Sequence, residues 1–178
     1  MAGHSKWAQI KRAKGANDVA RGKLFTKLGR EILVAAKLGG PDPAANPRLA
    51  TAIRKAREAN MPNDNIHARI KQATGDKTNN RFESITYEGY AIGGIAVMVM
   101  ALTDNKNRTA GEVRHAFDKF GGSLGVTGAT NHIFVEIEGE YIPEYEITLS
   151  PEHEIKFEKF LDLLDNNDDV QEVHHNAG

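Results

Sequence analysis

Eight cations near the N-terminus are the residues whose type and spacing most plainly suit a chemistry. They are Lys6, Lys11, Arg12, Lys14, Arg21, Lys23, Lys27 and Arg30, opposed over that stretch only by Asp18. Cations at this density neutralise phosphates and release condensed counterions, which gives a sequence-independent attraction to polyanions. Trp7 stands among them, and an aromatic ring beside cations can stack on an unpaired base while its neighbours hold the backbone. The same ring could instead anchor the segment to a folded neighbour. The wider pattern agrees with the polyanion reading. Residues 1–80 hold 16 Lys and Arg against 6 Asp and Glu, whereas residues 81–178 hold 7 against 18, so a net charge of −1 conceals a basic and an acidic half. The acidic half would repel the polymer that the basic half attracts. Segregated surface charge with no ligand is the alternative.

Other chemistries find less support. Asn107, Arg108 and Thr109 stand at a predicted helix start, where backbone amides and a guanidinium could converge on one phosphate. A capped helix start with an exposed Arg explains the same residues. Seven histidines, His4, His67, His115, His132, His153, His174 and His175, are scattered with no metalloprotease or nucleophile-elbow spacing. The adjacent pair His174 and His175 is expected at the surface, on opposite sides of a strand. Asp165, Asp168 and Asp169 lack the glycine turn and closing Glu of a calcium loop. Gly121, Gly122, Gly125 and Gly128 follow a helix instead of leading into one, and are expected to form a flexible turn. There is no cysteine, which removes disulfides and thiolate chemistry. The expectation is a binding protein without catalytic residues, cofactor, metal or small-molecule substrate.

The elements that would position the cations are helical. Leu24, Leu28, Ile32 and Ala35 recur at helical spacing and Gly39-Gly40 supplies a stop, predicting a helix over residues 23–38. On a helical wheel Lys23, Lys27, Arg30 and Lys37 fall within roughly 80° of one another, opposite the apolar stripe. Asn46 followed by Pro47 marks a second helix to about residue 60, with Leu49, Ala52, Ile53 and Ala56 inward. Arg54, Lys55 and Arg57 lie on it and could form part of a DNA-reading surface. Pro62 forces a boundary, and a third helix runs through Ile66 and Ile70 toward Gly75. The expected organisation is a basic flexible arm over residues 1–22, a helical bundle over 23–78 and an acidic α/β domain over 79–178.

In the acidic half, residues 95–102 form an almost continuous apolar strand. A helix follows with Thr109 and Glu112 at capping-box spacing and Val113, Ala116, Phe117 and Phe120 inward. Strands are predicted at 133–137 and 145–149, then a helix opened by Ser150-Pro151, with Phe157, Phe160, Leu161 and Leu164 on one face, and a strand at 170–173. The order is βαββαβ, so the fold class is α+β, a three-helix domain followed by a ferredoxin-like domain. The longest apolar run is strand-sized and the N-terminus has no signal-like pattern, so membrane partners are excluded and the cytoplasm is the expected location.

Strings along the chain resemble one family. MAGHSKW, GKLFTKLGREI, GGPDP, NPRL, ANMPNDNI, YEGY, LTDNKNRT and EVRHAF occur in that order, followed by YIPE and DDVQEV, and together they are similar to the YebC family of gene-expression regulators. The resemblance covers residues 1–128 and 141–173. It implies a helical N-terminal domain and two α/β domains, one inserted in the other. This chain departs from that plan, since it passes from Ile137 through Glu138, Gly139 and Glu140 directly to Tyr141, so the inserted domain is absent near 138–141. Family members are described as DNA-binding transcriptional regulators, while others resemble translational activators or ribosome-associated factors that relieve stalled synthesis, notably at proline runs. Cations spread from an arm onto a helix suit an irregular RNA surface better than a DNA groove. RNA on the ribosome is therefore the expected partner, with DNA as the alternative.

Overall fold

Asn46 shows how closely local chemistry sets this architecture. In the computed structural model, which describes residues 18–75 and 81–178, its side-chain oxygen accepts from the Leu49 amide at 3.1 Å, capping a helix that begins at Pro47. The same buried side chain donates to the carbonyls of Ala35 and Gly40, at 2.8 and 2.9 Å, and so satisfies the end of the preceding helix as well. The two helices it joins are α1 (Asp18–Gly39) and α2 (Pro47–Glu58); α3 (Asn63–Gly75) follows Pro62. Leu28, Ile32, Leu49, Ile53, Met61 and Ile66 form their shared core, and Phe82 packs on it. Helix α1 starts five residues earlier than its periodicity predicts. Asp18 stands in its first described turn, where a carboxylate favours the positive end of the helix.

The chain divides into two compact units, and the division falls between Phe82 and Glu83. The second unit contains β1 (Glu83–Tyr90), β2 (Ala96–Thr103), α4 (Lys106–Lys119), β3 (Ser123–Leu124), β4 (Phe134–Ile137), β5 (Glu140–Pro143), α5 (Pro151–Asp165) and β6 (Val170–His175). Four strands form an antiparallel sheet in the order β3-β1-β2-β6. Val97 and Val99 on one face pack with Val113, Phe117, Phe157, Phe160, Leu161 and Leu164 of α4 and α5. Ala96 and Met98 on the other face meet Ile133 and Phe134 beside a separate β4-β5 hairpin. The expected α+β class, with two helices on one face of a four-stranded antiparallel sheet, is present.

The path through that sheet differs from βαββαβ. The first strand, β1, precedes the apolar run and was not expected. Its inner face carries Gly89, where a Cβ would lie 2.5 Å from the Ser123 carbonyl and 2.9 Å from the Phe117 ring. Packing there depends on the absence of a side chain, which erases the hydrophobic signal of the strand. Residues 145–149 form no strand, only an isolated bridge from Ile147 to Ala177. Their apolar alternation reflects Ile147 and Leu149 packing at the core margin. The partner of β4 is instead β5, joined through Glu138 and Gly139 at φ 52° and 82°. Two consecutive positive φ values are those of the tight turn whose twist matches a hairpin.

The glycine-rich loop is also not a flexible turn. Glu88, buried on β1, accepts from the Thr130 amide and hydroxyl, each at 3.1 Å, and from the Gly128 amide. Tyr90 donates to the Ala129 carbonyl at 3.0 Å. These bonds pin the loop to the sheet. Likewise, His174 and His175 occupy opposite sides of β6 as expected but not the surface. His174 lies 3.2 Å from Glu172 and edge-on to Tyr141, while His175 is buried against Phe157.

Candidate nucleic-acid interface

Helix α1 does not present its cations as one stripe. Arg21 is exposed, Lys23 and Arg30 are half-buried, and Lys27 is only 3% exposed. The expectation that Lys27 shares an open cationic face is therefore corrected. From Lys27 to Ala36 the buried residues are Lys27, Leu28, Gly29, Ile32, Leu33, Val34, Ala35 and Ala36. At about 100° per residue these positions encircle the helix, so a wheel with one dry and one wet face fails over this stretch. Arg30 lies with its guanidinium 5.6 Å from the centre of the Phe82 ring, a cation–π distance. Lys6, Trp7, Lys11, Arg12 and Lys14 lie outside the described residues.

Arg48, Arg69 and Lys71, which were not among the expected binding residues, join Arg57 on the surface of the helical unit. Arg48 and Arg57 are exposed on α2, and Arg69 and Lys71 on α3. Arg69 donates to the Gln72 side chain at 3.1 Å. Arg54 is also exposed, but its guanidinium is engaged by Glu58 at 3.1 Å. Lys55 is half-buried. The signal for Arg69 was available: Asn65, Arg69 and Gln72 stand at i, i+4 and i+7, which places three polar, nucleotide-compatible side chains on one helical face.

The second predicted anion site has a different construction. Helix α4 is capped by Asn105, whose side chain accepts from the Arg108 amide at 3.0 Å, so Thr109 is not its cap. Thr109 lies one turn inside and is fully buried. Its hydroxyl is 2.7 Å from both Thr103 Oγ1 and Asp169 Oδ2. Arg108 reaches Asp169 at 2.7 Å and Asp104 at 3.0 Å. Hydrogen bonding to Asp169, then to Asp104, raises its pKa further and keeps it protonated. Burial, followed by the Asp169 charge, raises the pKa of Tyr87. A phosphate would have to compete with two carboxylates for this guanidinium. Asn107 is exposed on the first turn.

Comparison with known proteins places this geometry in a family. A family model described as the TACO1/YebC protein N-terminal domain matches residues 5–76. A second, described as the TACO1/YebC second and third domain, matches residues 82–139 and 134–177. The chain belongs to the TACO1/YebC family. A relative from Ruminiclostridium cellulolyticum, named "Probable transcriptional regulatory protein", is 57% identical over 134 residues, covering 75% of this chain and 54% of the relative. In that alignment the chain spans about half the relative's length. A relative of the same name from Acetivibrio thermocellus is 40% identical over 238 aligned positions, covering 99% of this chain and 98% of the relative. Since this TACO1/YebC chain has 178 residues, at least 60 positions of that 238-position alignment have no residue of it. The crystal structure of a conserved hypothetical protein, Aq1575 from Aquifex aeolicus, matches with a TM-score of 0.82 at 37% identity, covering 98% of this chain and 97% of the other. Among the described residues, no helix is long and apolar enough to cross a membrane.

Proposed function

We propose that this chain is a nucleic-acid-binding regulator of gene expression, and that its target is RNA on the ribosome, where it activates or rescues stalled synthesis. The observation that carries this reading is the spread of exposed cations over the helical unit, with Arg21 on α1, Arg48 and Arg57 on α2, and Arg69 and Lys71 on α3. Readout of a DNA groove asks for one helix presenting several side chains to base edges. Cations distributed over three helices suit the irregular backbone of folded RNA. Lys6, Trp7, Lys11, Arg12 and Lys14 would add to this contact, and on this reading the protein works in the cytoplasm.

A second reading, a DNA-binding transcriptional regulator, is favoured by the name that the relatives carry. Helix α2, with Arg57 outward and Arg54 beside Glu58, would be its groove-facing element. No catalytic step belongs to either reading. The Glu138-Gly139 turn, where the two segments of the second family match overlap, is proposed as the point at which the relatives' additional stretch is missing.

Co-sedimentation with ribosomes through a sucrose cushion at several salt concentrations, beside gel shifts on duplex DNA, separates the two readings. Travel with ribosomes at physiological salt, without a discrete DNA complex, is the expected result. Retention of a defined duplex by a protein that leaves the ribosome would give the assignment to transcription.

A further inference from the structure

A cavity of about 300 Å³ opens between α1 and α3, lined by Gly22, Phe25, Thr26, Met61, Asn65, Ala68, Arg69 and Gln72. We propose that it receives one unstacked nucleobase of a single-stranded RNA. The proposal rests on the RNA reading above and adds to it the place and chemistry of a base contact.

The lining has the three components that such a base requires. Phe25, half-buried, and Met61, buried, supply an apolar wall against which a flat heterocycle loses little by leaving water. Asn65 and Gln72 carry amides that both donate and accept, matching the mixed edge of a base. Arg69 supplies a cation at the rim. Its stem crosses Gly29, where a Cβ would fall 2.8 Å from Arg69 Nε, and its Nη1 donates to Gln72 at 3.1 Å. The guanidinium is thereby held before a ligand arrives, which reduces the ordering cost of binding. Thr26 donates its hydroxyl proton to the Gly22 carbonyl at 3.0 Å and keeps its lone pairs as acceptors.

The size of the cavity sits at the small end of ligand pockets, fitting a single ring system better than a drug-sized molecule. An apolar side chain of a partner protein would fill the Phe25 wall but leave the Asn65 amide, and the donors of Gln72 and Arg69 not used in their mutual bond, desolvated without an acceptor, which is unfavourable. A base satisfies both. Exposed Lys71, on one of the two helices that form the walls, is placed to meet a flanking phosphate.

The test uses the full chain, a fluorescent single-stranded RNA of mixed sequence, and an abasic oligonucleotide of the same length. Gly22→Leu places a side chain at the cavity mouth. A Cβ at Gly22 meets nothing within 4 Å, and leucine is the better helix former, so folding is preserved. Asn65→Ala removes an edge partner independently and leaves the Arg69–Gln72 bond in place. Both variants are expected to bind the RNA about tenfold more weakly, with the slope of log affinity against log salt unchanged, because stacking and edge contacts release no counterions. Both should match the wild type on the abasic oligonucleotide. RNA affinity unchanged in both variants, with wild-type binding intact, overturns the base pocket and leaves the RNA reading standing. Loss on the abasic oligonucleotide equal to that on RNA also overturns it. A wild-type chain that binds no RNA overturns the parent reading and the pocket with it.

Discussion

The two units use charge in opposite ways. In the sheet unit the informative ionic groups are consumed inside the fold. Glu88 and Asp169 are each 4% exposed, one pinning the 128–130 loop and the other gathering Thr103, Arg108 and Thr109. In the helical unit the conspicuous cations stay at the surface of three helices, while the core beneath them is aliphatic. A buried carboxylate with several donors specifies local geometry and is unavailable to a partner. Exposed cations add little to folding and remain available to a polyanion. The contrast teaches where binding should reside, and Lys27 is its exception.

Lys27 gives the largest expected effect. Lys27→Glu places a carboxylate where a buried ammonium stands, and should destabilise the helical unit by about 4 kcal/mol. Lys23→Glu, one turn earlier and half-buried, should cost less than about 0.5 kcal/mol. Urea denaturation followed by circular dichroism reads the difference. Equal midpoints for the two variants would contradict the burial of Lys27. The same logic applies in the sheet unit. Asp169→Ala removes the acceptor that Arg108 and Thr109 share and should cost about 3 kcal/mol. Asp104→Ala, at a side chain 34% exposed, should cost under about 0.5 kcal/mol. Similar losses from both would mean that the Asp169 network is not the tie between the turn before β6 and α4.

What was legible in the sequence follows from whether the signal was local. Asn46-Pro47, Pro62 and Ser150-Pro151 mark helix boundaries through the chain's own dihedral preferences, and the structure starts helices at Pro47, Asn63 and Pro151. The apolar run before Thr103 and the stripe Phe157, Phe160, Leu161 and Leu164 reported their burial directly. What stayed hidden depended on distant partners. Strand β1 places Gly89 against Phe117 and Glu88 against a loop some 40 residues away, so neither residue looks like a strand interior in its own window. Lys27 was misplaced because a wheel presumes one buried face, and α1 is buried all round from Lys27 to Ala36. The pocket between α1 and α3 was hidden for a related reason, because its two walls lie on different helices.

The Asn46 junction tests a smaller effect. Asn46→Ala loses the α2 cap and two donations to the end of α1, one of them buried, an expected cost of about 2 kcal/mol. Asn46→Asp retains the cap acceptor but cannot donate to the carbonyls of Ala35 and Gly40. If Asp restored full stability in thermal melts, the cap alone would account for the junction and the interhelical bonds would be dispensable.

Binding gives the smallest free-energy change but the sharpest comparison between the units. Reversing Arg48, Arg57 and Lys71 to Glu alters exposed positions on α2 and α3. Affinity for single-stranded RNA should fall at least about tenfold, near 1.4 kcal/mol, and the salt slope should become shallower by about 2, from roughly 0.7 per lost phosphate contact. Reversing Arg114, Lys119 and Lys159, equally exposed in the sheet unit, changes the net charge by the same amount. It should leave that slope unchanged, because long-range repulsion is screened beyond about 10 Å at 0.1 M salt whereas a lost contact is not regained. Anisotropy titrations at several salt concentrations measure both. Equal changes in slope would show that binding senses total charge alone, and the division of labour between the two units would fall.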